Sequence, residues 1–174
     1  MKKKTRKKLF RVFEFFLRFT LLALPLYIIM GSGVQFFVWE KLIADQVSFV
    51  ISGFAEVNQT VEFGMSVLSV EGFEARIGID SSCTGYRSML AFIALVFAVP
   101  GVDWKKRLKP LVPGFMILYA VNLFRIIITI SAGVLFGFRA FELMHLFLWR
   151  WALTLAILGM WFYWLKKEVL TKNP

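Results

Sequence analysis

The sequence predicts an all-α integral membrane protein, a four-transmembrane-helix bundle with an outer amphipathic helix and a small β-hairpin. Hydrophobic residues make up 59% of the chain and aromatic residues 17%, which is unusual for a soluble domain. Several apolar runs approach the roughly 20 helical residues needed to cross a bilayer core of about 30 Å. We place the spans at residues 16–38, 86–101, 111–136 and 145–165, within a single transmembrane domain of residues 1–174.

The charged residues lie at the ends of these runs. A net charge of +10 would suggest nucleic-acid binding in a soluble protein, but this clustering is better explained by membrane topology, so the lipid bilayer is the expected partner. With four spans, the basic groups all fall on one side, as the positive-inside rule requires. We therefore expect a multi-pass protein of the cell membrane with both termini cytoplasmic. The acidic segment 40–82 is expected outside. The basic groups are residues 2–8, 105–109 and 166–172.

The elements before the second span are predicted from their apolar spacing. Pro25 and the glycines of residues 31–33 predict a kink in the first span, because apolar residues continue beyond them. Residues 39–54 have the helical spacing of an interfacial amphipathic helix, with Glu40, Lys41 and Asp45 on its polar side. Residues 60–79 alternate as in a β-hairpin joined near residues 71–72. The hairpin ends just before Cys83, so it is placed either to hold an extended peptide beside the thiol or to cap the bundle.

Cys83 is the only cysteine in the chain and lies where the second span begins. It has no partner for a disulfide within one subunit, which leaves a packed small hydrophobe, an intermolecular bridge or a reactive thiol. The positive end of the helix dipole and Arg87, one turn further along, would both favour the thiolate.

Two later spans carry further polar residues toward the same membrane depth. Arg125 lies 14 residues after Leu111, about 21 Å up a core of about 30 Å, and a buried charge at that depth needs a partner or a water-filled cavity. Asn122 shares its helical face one turn deeper. His145, the only histidine, opens the last span, and Glu142 lies beside it as a supporting residue.

A thiol, a guanidinium and an imidazole together support acyl transfer. The thiolate attacks a peptide carbonyl, the imidazole passes a proton to the leaving amine, and the guanidinium stabilises the oxyanion. A single histidine without a His-Glu-x-x-His motif excludes a zincin, and the aspartates lie outside the spans, which excludes an intramembrane aspartyl pair. The sequence predicts no metal and no cofactor.

The motifs Cys83-Thr84-Gly85-Tyr86-Arg87-Ser88 and Asn122-Leu123-Phe124-Arg125, followed by His145, resemble the exosortase/archaeosortase family of membrane cysteine transpeptidases. The resemblance covers residues 79–160, and many members are longer, so this chain resembles a minimal core. It implies Cys83 as nucleophile, Arg125 as the essential arginine and His145 in the third catalytic position. It also implies a membrane-anchored protein substrate whose C-terminal sorting tail is cleaved, and whose new carboxyl group is passed to a surface or lipid acceptor.

Two alternatives remain open at this point. A quorum-peptide-type membrane cysteine protease also pairs cysteine with histidine, but that class works at the cytoplasmic side, whereas the basic loops here place Cys83 outside. A non-enzymatic assembly or accessory protein would use the outer hairpin to bind a partner, and its Arg125 would form a structural ion pair. Substitution of Cys83 by alanine separates the enzymes from the accessory protein.

Overall fold

Six helices and three short strands follow one another in the computed structural model, which describes residues 3–33 and 35–170. Helix α1 (Lys3–Gly31) and helix α2 (Phe37–Ile51) precede the strands β1 (Val57–Glu62), β2 (Met65–Val70) and β3 (Ile77–Ile79). A 3-10 turn (Ser81–Thr84) leads into α3 (Tyr86–Ala98), and α4 (Trp104–Leu108) is followed by α5 (Leu111–Phe136) and α6 (Phe138–Leu165). A π-helical turn (Lys166–Leu170) ends the described chain. The fold is mainly helical with one small sheet.

Within residues 3–33 and 35–170, three stretches of helix are long and apolar enough to cross a membrane: Thr5–Gly31, Trp104–Phe136 and Phe138–Glu168. This number differs from the four predicted spans, because the second predicted span, 86–101, is an apolar helix of only 13 residues. At 1.5 Å per residue, α3 is about 20 Å long, short of a core of about 30 Å. The third span, 111–136, has the predicted bounds, whereas the fourth begins at Phe138 rather than at residue 145.

The predicted kink in the first span is a helix end. Pro25 lies inside α1, but the helix ends at Gly31 and a new helix begins at Phe37. The amide of Ser32 still donates to the carbonyl of Ile28 at 2.9 Å, and Gly33 then adopts a φ of 65°, in the left-handed region that glycine favours after a helix. The apolar run thus continues in sequence past the end of the helix.

The strands pair differently from the predicted hairpin. Strands β1 and β2 are joined at Phe63 and Gly64, not near residues 71–72, and β3 adds a third antiparallel strand in the order β1-β2-β3. Phe63 has a φ of 50° and Gly64 a φ of 77°, which is the geometry of a two-residue turn of type I′. The Phe-Gly pair lacks the usual asparagine or aspartate of such turns, so the turn could not be recognised from the sequence.

The residue contacts divide the chain into two units. The first unit comprises the described parts of residues 1–33, 87–116 and 157–174. Within it, Trp161 Nε1 donates to the carbonyl of Leu95 at 3.1 Å, and Trp164 Nε1 donates to that of Lys106 at 3.2 Å. The Arg107 guanidinium donates to three carbonyls where α3 ends, those of residues 97, 99 and 102, and so satisfies groups that a helix terminus leaves open.

The second unit comprises the described parts of residues 34–86 and 117–156 and holds the sheet. Its apolar core joins one face of α2 to β2, to β3 and to the middle of α5. The predicted helix at residues 39–54 is observed as α2, although Glu40, expected on its polar side, is fully buried and accepts from the Phe36 amide at 3.0 Å. The core comprises Ile43, Ala44, Val47, Ile51, Leu68, Val70, Phe73, Ile77, Ile79, Ile126 and Ile130.

Candidate active site

Cys83 lies in the 3-10 turn that follows β3, and Asp80 holds the beginning of this turn. The Asp80 carboxylate accepts from the Cys83 amide at 3.2 Å and from the Ser82 hydroxyl at 2.5 Å. Aspartate is a favoured N-cap because its carboxylate pairs with amides that a helix start leaves unpaired. Asp80 therefore fixes the backbone of Cys83 four residues after the sheet ends.

Asn122 of α5 holds the other end of the turn. Its Nδ2 donates to the carbonyl of Cys83 at 2.7 Å, and the residue is 1% exposed. Gly85 closes the turn with a φ of 76°, and a Cβ added there would lie 3.2 Å from Cγ of Asn122. The glycine of the Cys-Thr-Gly motif thus provides both a left-handed backbone and room for the asparagine.

Cys83, Arg125 and His145 line one cavity of about 200 Å³ in the second unit. Arg125 is 5% exposed and lies one helical turn after Asn122 on α5. Its guanidinium lies within electrostatic range of Cys83. The remaining lining residues come from β3 and the residue before it, from α5 and from α6, namely Arg76, Ile77, Gly78, Ile79, Ile126, Thr129, Ile130 and Phe141.

The ring of His145 is held by an aromatic stack. It lies parallel to the ring of Phe141, with centroids 5.9 Å apart and an interplanar angle of 6°. The Phe141 ring contacts that of Phe73 at 5.2 Å. Gly133 of α5 permits this packing, since a Cβ there would lie 3.0 Å from Phe73 and 3.1 Å from Phe141. His145 lies two turns inside α6 rather than at its start, because α6 begins at Phe138.

The environment of Cys83 favours the neutral thiol. Burial raises the pKa of the Cys83 thiol, and the nearby charge of Asp80 raises it further, whereas the attraction of Arg125 lowers it. This direction is opposite to the sequence expectation, in which the helix dipole and Arg87 favoured the thiolate. The loss of hydration on burial disfavours the charged sulfur more strongly than the helix dipole and the nearby positive charges stabilise it. A nucleophilic Cys83 would therefore need a base within the cavity.

The structure brings together four of the six residues singled out from sequence. Cys83, Arg125 and His145 share the cavity, and Asn122 supports the turn of Cys83. Glu142 is exposed on α6 and is not among the cavity residues. Arg87 is half-buried in the first turn of α3 and belongs to the first unit.

Sequence reasoning missed two residues of this site. Asp80 caps the turn and lies within electrostatic range of Cys83, Arg125 and His145. An aspartate directly before Ser-Ser-Cys is itself an N-cap signal, so the sequence carried this information. Phe141, one turn before His145, also lines the cavity, but in a chain with 20 phenylalanines nothing marks it out.

The arrangement provides the parts of a thiol acyl-transfer site. A buried thiol, an imidazole to accept its proton and a guanidinium to stabilise negative charge share one cavity. Within residues 3–33 and 35–170, no group of three or more His, Cys, Asp or Glu residues is placed to hold a metal ion. The chemistry that these side chains support is nucleophilic.

Comparison with protein-family models, with curated proteins and with solved structures gives no match for this chain.

Proposed function

We propose that this chain is a membrane-embedded cysteine transpeptidase or peptidase of the exosortase/archaeosortase type, with Cys83 as nucleophile. The observation that carries the proposal is the shared cavity. Side chains from a turn, from α5 and from α6, separated by 42 and 20 residues in sequence, all line it. Isolated polar residues in such an apolar chain would not be expected to collect in one place.

The proposed reaction has two steps. The His145 imidazole takes the proton of the Cys83 thiol, and the sulfur attacks a substrate carbonyl carbon, forming a C–S bond and an oxyanion that Arg125 stabilises. When the oxyanion collapses, the C–N bond breaks and the leaving amine takes the proton from His145. A second nucleophile, an amine, a hydroxyl group or water, then attacks the thioester and releases the sulfur.

The proposed location follows the charge distribution. The chain carries basic groups near the N-terminus, at residues 105–109 and at residues 166–172. All three groups fall on one side if the chain crosses the bilayer an even number of times. Helix α3 then completes the count as a short crossing, with its flanking residues at the interfaces and local bilayer thinning accommodating its length. Both termini are then cytoplasmic, and the cavity opens toward the extracytoplasmic side, where a tailed, membrane-anchored protein would present its cleavage site.

A comparison of protein C-termini in the native host tests this function. Chromosomal Cys83→Ala is compared with the unaltered strain, and the C-terminal peptides of membrane proteins are identified by mass spectrometry. We expect at least one protein to keep an apolar, basic-ended tail in the variant and to lose it in the parent. Identical C-termini in both strains, with Cys83→Ala protein present at the normal level, would favour a non-enzymatic accessory role.

A further inference from the structure

The sheet in the second unit ends beside Cys83. Strand β3 pairs with β2 through Ile77 to Ile79, and the strand order β1-β2-β3 places it at an edge. An edge strand presents backbone N–H and C=O groups that its own sheet does not use. All three residues of β3 line the cavity that holds Cys83, Arg125 and His145. The free edge of the sheet therefore borders the proposed reaction site.

Gly78 leaves open space on the exposed face of β3. Ile77 and Ile79 are buried and belong to the core, whereas Gly78 between them is exposed. Among the described residues, no atom would lie within 4 Å of a Cβ added at Gly78, and Gly78 does not have a left-handed backbone. A side chain can therefore be introduced at this point of β3.

The cavity is small, and the edge of β3 that borders it is short. Its volume of about 200 Å³ lies below the range of about 300–1,000 Å³ that is usual for small-molecule sites. A strand advances about 3.3 Å per residue, so a three-residue edge spans roughly 10 Å. That length accommodates three or four residues of an extended peptide.

We propose that β3 binds the substrate by strand addition, so that three or four residues of an extended peptide pair with its free edge and deliver the scissile carbonyl to Cys83. This inference rests on the proposed function, and it adds that the substrate is recognised through its backbone. Strand β3 is continuous with the site, because Asp80, the residue after β3, accepts from the Cys83 amide. A peptide paired with β3 would therefore lie at a fixed position relative to Cys83.

Peptide electrophiles test the inference without a known substrate. Acetyl-oligoalanyl vinyl sulfones of one to five residues are applied to the purified full-length protein in detergent, and alkylation of Cys83 is followed by intact mass. We expect the alkylation rate to rise at least tenfold up to three or four residues and then to level off. Methylating the amide nitrogens one at a time should slow the reaction roughly 2- to 12-fold at alternate positions only, because strand pairing uses every second residue.

Two variants locate the binding edge. Gly78→Leu adds a side chain to β3 at a point where the new Cβ would meet no described atom within 4 Å, and it should abolish the dependence on peptide length. Asn58→Leu changes an exposed residue of β1, the strand at the opposite edge. This substitution should leave the dependence on peptide length unchanged. Iodoacetamide, which needs no binding edge, measures the reactivity of Cys83 in each variant, and the peptide rates are normalised to it.

Other outcomes would overturn the inference. A rate that is independent of peptide length, or equal for all methylated peptides, would exclude pairing with β3, as would failure of every peptide to react while iodoacetamide does. An alkyl vinyl sulfone of matched length that reacts as fast would identify the cavity as a site for a lipid chain. These results leave the role of Cys83 in catalysis to be decided separately by the Cys83→Ala strain.

Discussion

The side-chain amide of Asn122 donates to the carbonyl of Cys83 at 2.7 Å, which ties helix α5 to the turn that carries the sulfur. Asn122 precedes Arg125 by one helical turn, so the same helix face holds the turn of Cys83 and supplies the guanidinium. The spacing of the Asn-x-x-Arg motif thus has a physical reason. Asn122 holds the turn of Cys83, and Arg125 places a positive charge near its sulfur.

Replacing Asn122 with leucine should destabilise the protein. The carbonyl of Cys83 would lose its donor in a buried environment, at a cost of about 1–3 kcal/mol in the free energy of unfolding. Denaturant unfolding in detergent measures this cost. Thr129→Val is the matched control, because the Thr129 hydroxyl bonds to the Arg125 carbonyl within the same helix and its loss should cost less. Equal effects of the two substitutions would contradict a special role for the Asn122 bond.

Replacing Asp80 with asparagine should make Cys83 more reactive. The charge of Asp80 raises the pKa of the Cys83 thiol, so its removal lowers that pKa and increases the thiolate fraction at a fixed pH below it. We expect the pH profile of iodoacetamide alkylation to shift to lower pH, and the rate at pH 8 to rise several-fold. Asparagine is also a favoured N-cap, so the turn should be retained. A shift to higher pH would show that the hydrogen bonds of Asp80 to the turn outweigh its charge.

Replacing His145 with glutamine should abolish processing and leave the fold intact. Loss of a positioned general base typically reduces turnover by about 10²–10⁴-fold. Glu142→Gln on the same helix is the control, since Glu142 is exposed and is not among the cavity residues. The measurement is the fraction of tailed protein cleaved per hour in cells. Normal cleavage in His145→Gln would remove this residue from the mechanism.

Two helical glycines offer a paired test of the packing behind His145. Gly133→Ala would place a Cβ 3.0 Å from Phe73 and 3.1 Å from Phe141, so we expect overpacking to cost about 1–3 kcal/mol and to displace the ring that stacks on His145. Gly159→Ala meets no atom within 4 Å and should be neutral or stabilising, because alanine favours a helix. Unfolding midpoints of the two variants measure the difference. A stabilised Gly133→Ala protein would contradict the close packing.

The main features of the helices were predictable because their apolar runs are long. The bounds 111–136 follow directly from the apolar run after Pro110, and α2 follows from helical spacing. The start of α6 was placed seven residues late because Arg139 and Glu142 interrupt its apolar pattern, yet the helix tolerates them at an exposed end. The strands were misjudged because β2 is buried along most of its length and so shows no alternation.

The residues of the candidate site were predictable from the sequence, whereas the direction of the pKa shift of Cys83 was not. The motifs identified Cys83, Asn122, Arg125 and His145, since each polar type is rare in apolar segments. The pKa direction of Cys83 depends on burial and on Asp80, and neither the depth of the turn nor the partners of a carboxylate can be obtained from residue spacing. Glu40 is a similar case, since its place in the helical pattern put it on the polar side and the fold buries it completely.

The central claim, that Cys83 forms a thioester with a substrate carbonyl, is tested most directly by mass spectrometry of the Cys83 peptide from native membranes. We expect a hydroxylamine-sensitive acyl adduct on Cys83 whose peptide ends at the cleavage site, and its complete loss in Cys83→Ala. Continued tail removal in Cys83→Ala cells, without any adduct on Cys83 in the parent, would contradict the account.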